Sequence, residues 1–186
     1  MIDIKVIENF VSVHRFSGSF LFQSETVPDH SVEMALLCIN FSELVPESDK
    51  KDLCYRCVIH DLEESLSSDV PRPLKWACPE LKELIDNTAY KLLESSSDEE
   101  LVSEVKTAKS FDNVNGFLVH IADRVQCFLK MRREVELYGN NSLKCDFEAF
   151  KSNIFYLLQE VGRYEFMAKS SKENLKSYLN KLIINN

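Results

Sequence analysis

The densest run of ionisable side chains is His60-Asp61-Leu62-Glu63-Glu64-Ser65-Leu66-Ser67-Ser68-Asp69-Val70-Pro71-Arg72-Pro73-Leu74-Lys75-Trp76. Adjacent His60 and Asp61 offer one neutral nitrogen and one carboxylate oxygen, a mixed donor pair suited to a borderline divalent cation. If the run is helical, His60 and Glu64 are four residues apart and Asp61 and Glu64 three apart, so all three project towards one side. Ser67-Ser68-Asp69, with Pro71 and Pro73 behind them, should break that helix and form a rigid turn carrying Asp69, Arg72 and Lys75.

Two ligands do not hold a metal. Upstream, His30 stands at the start of a predicted helix. Downstream, Asp123 lies in a helical stretch that is otherwise apolar around it: Val119, Ile121, Ala122, Val125, Cys127 and Phe128. A carboxylate there is costly unless a cation or a hydrogen-bond network receives it. Three helices can therefore deliver His30, His60, Asp61 and Asp123 to one centre with open positions for water and substrate. Spacing alone leaves a second reading open, because a histidine-aspartate pair arises by chance and a solvated helix end accounts for Asp61, Glu63 and Glu64.

The elements that would position these groups read as helical almost throughout. Only four glycines and five prolines punctuate the chain, and the segments between them carry apolar residues at three- and four-residue spacing. Ile4 to Phe16 has the stripe Val6, Phe10, Val13. After Pro28-Asp29, with Asp29 as a candidate cap, come Met34, Leu37, Cys38, Phe41 and Leu44. Lys50 to Leu66 is a third predicted helix. Leu81, Leu84, Ile85, Ala89 and Leu92 mark a fourth that ends at Ser95-Ser96-Ser97, where Ser97 and Glu100 suit a capping box for a short helix through Lys109. The long helix runs from Phe117 to Leu137 and is stopped by Gly139-Asn140-Asn141. Segments of about 147–164 and 172–183 finish an all-α chain with no internal repeat.

The 186 residues, 45% of them hydrophobic and 10% aromatic, suffice for a single domain over 1–186. A formal charge of −8 argues against a broad cationic face for a nucleic-acid polymer, so an anionic ligand has to be met locally. No apolar run of about 18 residues exists and the N-terminus lacks the order of a signal peptide, which predicts no membrane contact and a cytoplasmic location. Cys38, Cys54, Cys57, Cys78, Cys127 and Cys145 read as reduced thiols. The Cys54-Tyr55-Arg56-Cys57 spacing has no second pair and lies inside a helical pattern, so core or surface thiols are expected there, with a metal or redox role the lesser alternative.

The order His30, His60-Asp61, Asp123 resembles the H…HD…D pattern of the HD superfamily. HDLEESLSSDVPRPLKW looks like the signature of the bacterial YfbR-type 5'-deoxynucleotidases, with Glu three and Asp eight positions after the HD pair and a proline-rich turn ending in Lys. His14-Arg15-Phe16 stands where the family carries Arg-Trp, and Ile121-Ala122-Asp123-Arg124 and Gly139-Asn140 also resemble its downstream pattern. The resemblance runs from about 10 to 142 and extends to the small phage dATP triphosphohydrolases (DatZ-type), which this chain matches in length.

The resemblance implies a single HD-type helical bundle, about 10–142 bearing the motifs and about 147–183 forming C-terminal helices. It also implies a central site where His30, His60, Asp61 and Asp123 bind a divalent ion (Co, Mn, Zn or Mg). That ion lowers the pKa of water and polarises the scissile phosphoryl group, and hydroxide attacks the α-phosphorus. Glu64 shuttles the water proton, and Asp69 either reads the sugar 3'-hydroxyl or assists proton transfer. Arg15 and Lys75 meet phosphate oxygens, Arg15 in a bidentate way. Arg72 and Arg124 are further phosphate contacts, Phe16 offers a π-face to the base in place of Trp, and His120 reads as a satisfied neighbour of Asp123. A deoxynucleotide substrate and a homo-oligomer, dimer or hexamer, also follow, in the host cytoplasm if the chain is phage-encoded. Removal of phosphate from 5'-deoxynucleotides ranks first because Ser17-Gly18 leaves room beside the purine edge, and a dATP or dNTP triphosphohydrolase second. A superfamily phosphodiesterase and a degenerate nucleotide-binding HD module stand behind them.

Overall fold

The computed structural model describes residues 2–71, 74 and 77–184. Arg72 and Lys75, both expected at the site, lie outside them. Among the described residues the fold is all-α: no β-strand occurs, only isolated bridges between Ile2 and Ser97 and between His14 and Thr26. The helices are α1 (Ile4–Phe10), α2 (Val27–Leu44), α3 (Lys50–Ile59), α4 (Glu64–Ser67), α5 (Pro79–Ser96), α6 (Glu99–Thr107), α7 (Val114–Arg132), α8 (Lys144–Arg163) and α9 (Lys169–Ile184). None is long and apolar enough to cross a membrane.

Two apolar clusters organise these helices. The larger joins α2, α3, α7, α8 and α9 through Met34, Phe41, Leu53, Phe117, Leu118, Phe128, Ile154, Leu157 and Leu179. The smaller joins α1, α5 and α6 through Val6, Leu93, Leu101, Val102 and Val105, with Ile59 at the end of α3 and Leu62 in the turn after it. Cys57 belongs to the first cluster and Ile59 to the second. The chain therefore passes from one core to the other over the last turn of α3, immediately before His60-Asp61.

Several predicted boundaries move, each for a local reason. The first helix stops at Phe10 instead of Phe16, and the chain turns so that Val27 N–H donates to the Val13 carbonyl and Arg15 N–H to the Glu25 carbonyl. α2 is capped by Thr26, whose hydroxyl receives Asp29 N–H while the Asp29 carboxylate takes Thr26 N–H, a capping box with Asp29 at its third position. The helix expected over Lys50 to Leu66 ends at Ile59. His60 Nδ1 lies 2.7 Å from the Cys57 carbonyl, the acceptor that the Asp61 N–H of a continuing helix would need, and tighter three-residue turns follow up to α4. α5 buries Ala89, as its stripe predicts, but also Leu93, while Leu84 and Leu92 stay exposed, so the predicted stripe shifts in part. Asp98, rather than Ser97, caps α6.

The long helix α7 opens into a π-helical turn over Arg133–Leu137 and is stopped at Gly139, whose φ of 72° suits glycine. Its end anchors the 20–23 loop. Buried Glu134 accepts from the backbone N–H groups of Phe22 and Gln23, and Lys130 bridges Glu134 and the Gln23 carbonyl. At the other end Gly116 is needed for close approach, since a Cβ there would meet the Ser110 carbonyl oxygen at 2.2 Å. The 108–111 turn is thereby pressed against α7. All six cysteines are free thiols; Cys57 is buried with its Sγ 3.4 Å from that of Cys38, which makes it a core residue.

Candidate metal centre

His30 on the first turns of α2, His60 and Asp61 after α3, and Asp123 in the middle of α7 meet between the two cores. His60 Nε2 lies 3.0 Å from Asp61 Oδ2 and 3.3 Å from His30 Nε2; His30 Nε2 lies 3.2 Å from Asp123 Oδ1 and 4.0 Å from Asp61 Oδ2. The histidines are wholly buried, and ligand atoms of His30, His60 and Asp61 all fall within 4.8 Å of one another.

The outer nitrogens define the tautomers. His60 Nδ1 faces a backbone carbonyl, which only accepts, so Nδ1 carries the proton and Nε2 presents a lone pair. His30 Nδ1 lies 2.6 Å from Gln126 Oε1. The Gln126 amide nitrogen donates to Glu25 and Glu33 at 2.8 and 3.1 Å, so its oxygen accepts and His30 Nε2 is also unprotonated. Two imidazole lone pairs thus face one another at 3.3 Å beside two carboxylates. That arrangement is repulsive by itself and becomes favourable around a cation. The donor set fits a divalent ion, with each imidazole held by a partner on its far side.

The electrostatics follow from burial and from these contacts. Burial pushes the His30 imidazole down to about 4. Burial alone would raise Asp61 and Asp123, yet His60 and Lys109 hold Asp61, and His30 and Lys109 hold Asp123, well below the usual carboxylate range. Burial raises the Glu63 carboxyl to about 7, and its neighbour Asp61 adds to the rise.

Around this centre the other expected residues take distinct places. Arg15 is buried and already engaged: one guanidinium nitrogen is 3.5 Å from Gln126 Oε1 and 3.7 Å from Glu25 Oε2, the other 3.5 Å from Cys127 Sγ. Its guanidinium carbon stands 5.4 Å from the Phe16 ring centroid. Asp69 accepts the Phe16 N–H at 2.9 Å, fixing that residue in a left-handed conformation with φ of 58°. Arg15, Phe16, Gly18, Asp69 and Pro71 from this side, and Met131, Asp146, Phe150 and Asn153 from α7 and α8, line a cavity of about 200 Å³. Glu64 opens α4, one helical turn's length of chain from His60. His120 accepts from Arg124 at 3.0 Å, pairing two residues that sequence placed separately.

Two partners have no sequence signal strong enough to single them out. Gln126 is three residues beyond Asp123 in the same apolar stretch, where a buried amide deserved the question asked of Asp123. Lys109, 2.7 Å from Asp61 Oδ1, follows a helix end and looks like any solvated lysine.

A family model, 5'-deoxynucleotidase YfbR-like, matches residues 4–170. The chain belongs to the YfbR-like 5'-deoxynucleotidase family. Members of this family are HD-domain, metal-dependent phosphohydrolases, and this chain is one of them. Solved structures share the fold. The PH0347 protein of Pyrococcus horikoshii OT3 superposes with a TM-score of 0.73 at 19% identity, over 97% of this chain and 96% of that one. An HD-domain phosphohydrolase (lin2634) from Listeria innocua gives 0.74 at 22%, over 97% and 87%. The HD phosphohydrolase DatZ of cyanophage S-2L, bound to dA and one catalytic Zn2+ ion, gives 0.73 at 14%, over 98% and 96%. No curated protein sequence matches the chain.

Proposed function

We propose that this YfbR-like protein removes phosphate from 5'-deoxynucleotides at a divalent ion held by His30, His60, Asp61 and Asp123. The observation that carries the reading is the pair of opposed Nε2 lone pairs between Asp61 and Asp123. When bound, the ion supplies acidification of water and polarisation of the phosphoryl group. The protein does the rest. Glu64, on the first turn after the ligand-bearing segment, holds and passes the proton of the attacking water. Arg15 meets the phosphate from the cavity wall, and its buried contacts to Gln126 and Glu25 keep the guanidinium in one orientation without a search of rotamers. Asp69 acts through Phe16, whose ring it positions by holding the backbone N–H, and the cavity beyond receives the nucleoside. Gly18 in the wall of that cavity supports a broad base preference. The working surroundings are the cytoplasm and the acting species a homo-oligomer.

A second reading, hydrolysis of a dNTP to deoxynucleoside and tripolyphosphate, is favoured by the cations on the Asp123 side, where Lys109 and Arg124 gather around neutral His120. Product analysis with dAMP and dATP in Mn, Co, Zn or Mg separates the two. Phosphate and deoxyadenosine from dAMP support the first; tripolyphosphate from dATP with dAMP untouched overturns it in favour of the second. Glu64→Gln should retain the ion and lose turnover by roughly 10²–10⁴-fold, the scale of a general acid-base group. An equal loss of ion would mean that Glu64 is a ligand rather than a proton carrier.

A further inference from the structure

Lys109 is where this chain departs from a bare four-ligand centre. Asp61 turns Oδ2 to the imidazoles, while its other oxygen, Oδ1, points outward and receives the Lys109 ammonium at 2.7 Å. Two residues on, Glu63 has a buried oxygen, Oε2, with no hydrogen-bond partner. The lysine is not a stray surface chain. Ala108 beside it is wholly buried, Ser110 N–H donates to the Thr107 carbonyl, Arg56 binds that same carbonyl, and Gly116 lets the turn lie flush on α7. The backbone of this turn is therefore held in place, and the Lys109 side chain reaches Asp61 from it.

A carboxylate with one oxygen on a metal site and the other turned outward is the arrangement that bridges two ions in binuclear hydrolases, whose metals stand about 3.5–4 Å apart. An ammonium satisfies the outer oxygen as a donor but has no coordination position to offer water or phosphate. We propose that Lys109 occupies the place beside Asp61 that a second divalent ion would take, and so restricts the centre to one ion. This rests on the reading of the site as a metal centre. It assigns Lys109 as a positioning residue that keeps Asp61 monodentate.

Metal stoichiometry tests it without any turnover. Purified protein stripped with chelator is titrated with Mn(II), with bound ion counted after gel filtration and the electron paramagnetic resonance spectrum recorded. The wild-type chain should bind one ion with an uncoupled spectrum, and Lys109→Arg should do the same. Lys109→Met should admit a second, weaker ion with spin-coupled broadening, and Lys109→Glu, which adds a carboxylate at the same place, should bind it more tightly. Two coupled ions in the wild type, or one ion in both Lys109→Met and Lys109→Glu at saturating Mn(II), would overturn the role given to Lys109. No ion in the wild type at all would bring down the underlying metal-centre reading instead.

Discussion

The two histidines of the centre are held in unlike ways. His60 donates to the carbonyl of Cys57, three residues back in the last turn of α3. His30 donates to Gln126, ninety-six residues away on α7, and Gln126 is itself wedged among Glu25, Glu33 and Arg15. The first orientation comes with the backbone and survives any change of side chain that leaves α3 intact. The second depends on a buried polar network whose every member must be satisfied, and each partner removed leaves another stranded. A single centre thus has one locally specified ligand and one specified by tertiary structure, which makes its two halves separable by mutation.

The strongest break in that comparison is Gln126→Leu. The leucine fills the space but removes the acceptor for His30 Nδ1 and the donor for Glu25 and Glu33, so His30 is free to change tautomer and turn. Metal affinity should fall by roughly 10–100-fold, the usual scale for loss of a partner behind a metal-bound histidine, and stability by about 1–3 kcal/mol for the buried groups left unpaired. Isothermal titration with Zn or Mn and urea unfolding measure the two effects. Unchanged affinity with lowered stability would show that packing alone orients His30.

A smaller effect separates the halves by pH. Burial, with Arg15 beside it, depresses the His30 imidazole from 6.5 to about 4. Between those values the unfolded chain binds a proton that the folded one refuses, so the metal-free protein should be fully stable above about pH 6.5 and lose stability as pH falls towards 4. His120, lowered to about 4 by burial and by Arg124, adds a loss of the same sign. Glu63, raised to about 7, works the other way, because the folded chain holds its proton up to higher pH. Comparison with His30→Asn isolates the His30 share, on the order of 2–3 kcal/mol between pH 7 and 4.5. Urea titrations in chelator that gave parallel pH profiles for the two proteins would remove His30 from the account.

The same contrast explains what was legible in the sequence. His60-Asp61 and Glu64 stood out because their chemistry is written within one short segment, and His30 and Asp123 because a family pattern joins them across the chain. Helical periodicity found nearly every helix, since apolar spacing reports burial directly. It missed the break at His60, because nothing in a periodic pattern says that an imidazole will take the carbonyl a helix needs. It misplaced part of the stripe on α5, where Ala89 is buried as expected but Leu93 is buried in place of Leu84 and Leu92, since a small helix-facing cluster needs fewer apolar residues than the segment contains. Gln126 and Lys109 depend on contacts between α7, the 108–111 turn and the ligands, and no local spacing encodes those.

The least disruptive test sharpens the comparison from the other side. Cys57→Ala removes a buried thiol that touches Cys38 but leaves the carbonyl that orients His60. The lost sulfur contacts should cost about 1 kcal/mol of stability, as a small group deleted from a packed core does. Metal affinity should change by less than about 2-fold, because the acceptor behind His60 is main chain and α3 is fixed along its length by Leu53 and by the Asp49 cap. Set beside Gln126→Leu, the two variants remove side chains from equivalent places behind the two ligands. If Cys57→Ala weakened metal binding as much as Gln126→Leu does, His60 would owe its orientation to packing around the thiol, and the division into a backbone-held and a network-held histidine would fail.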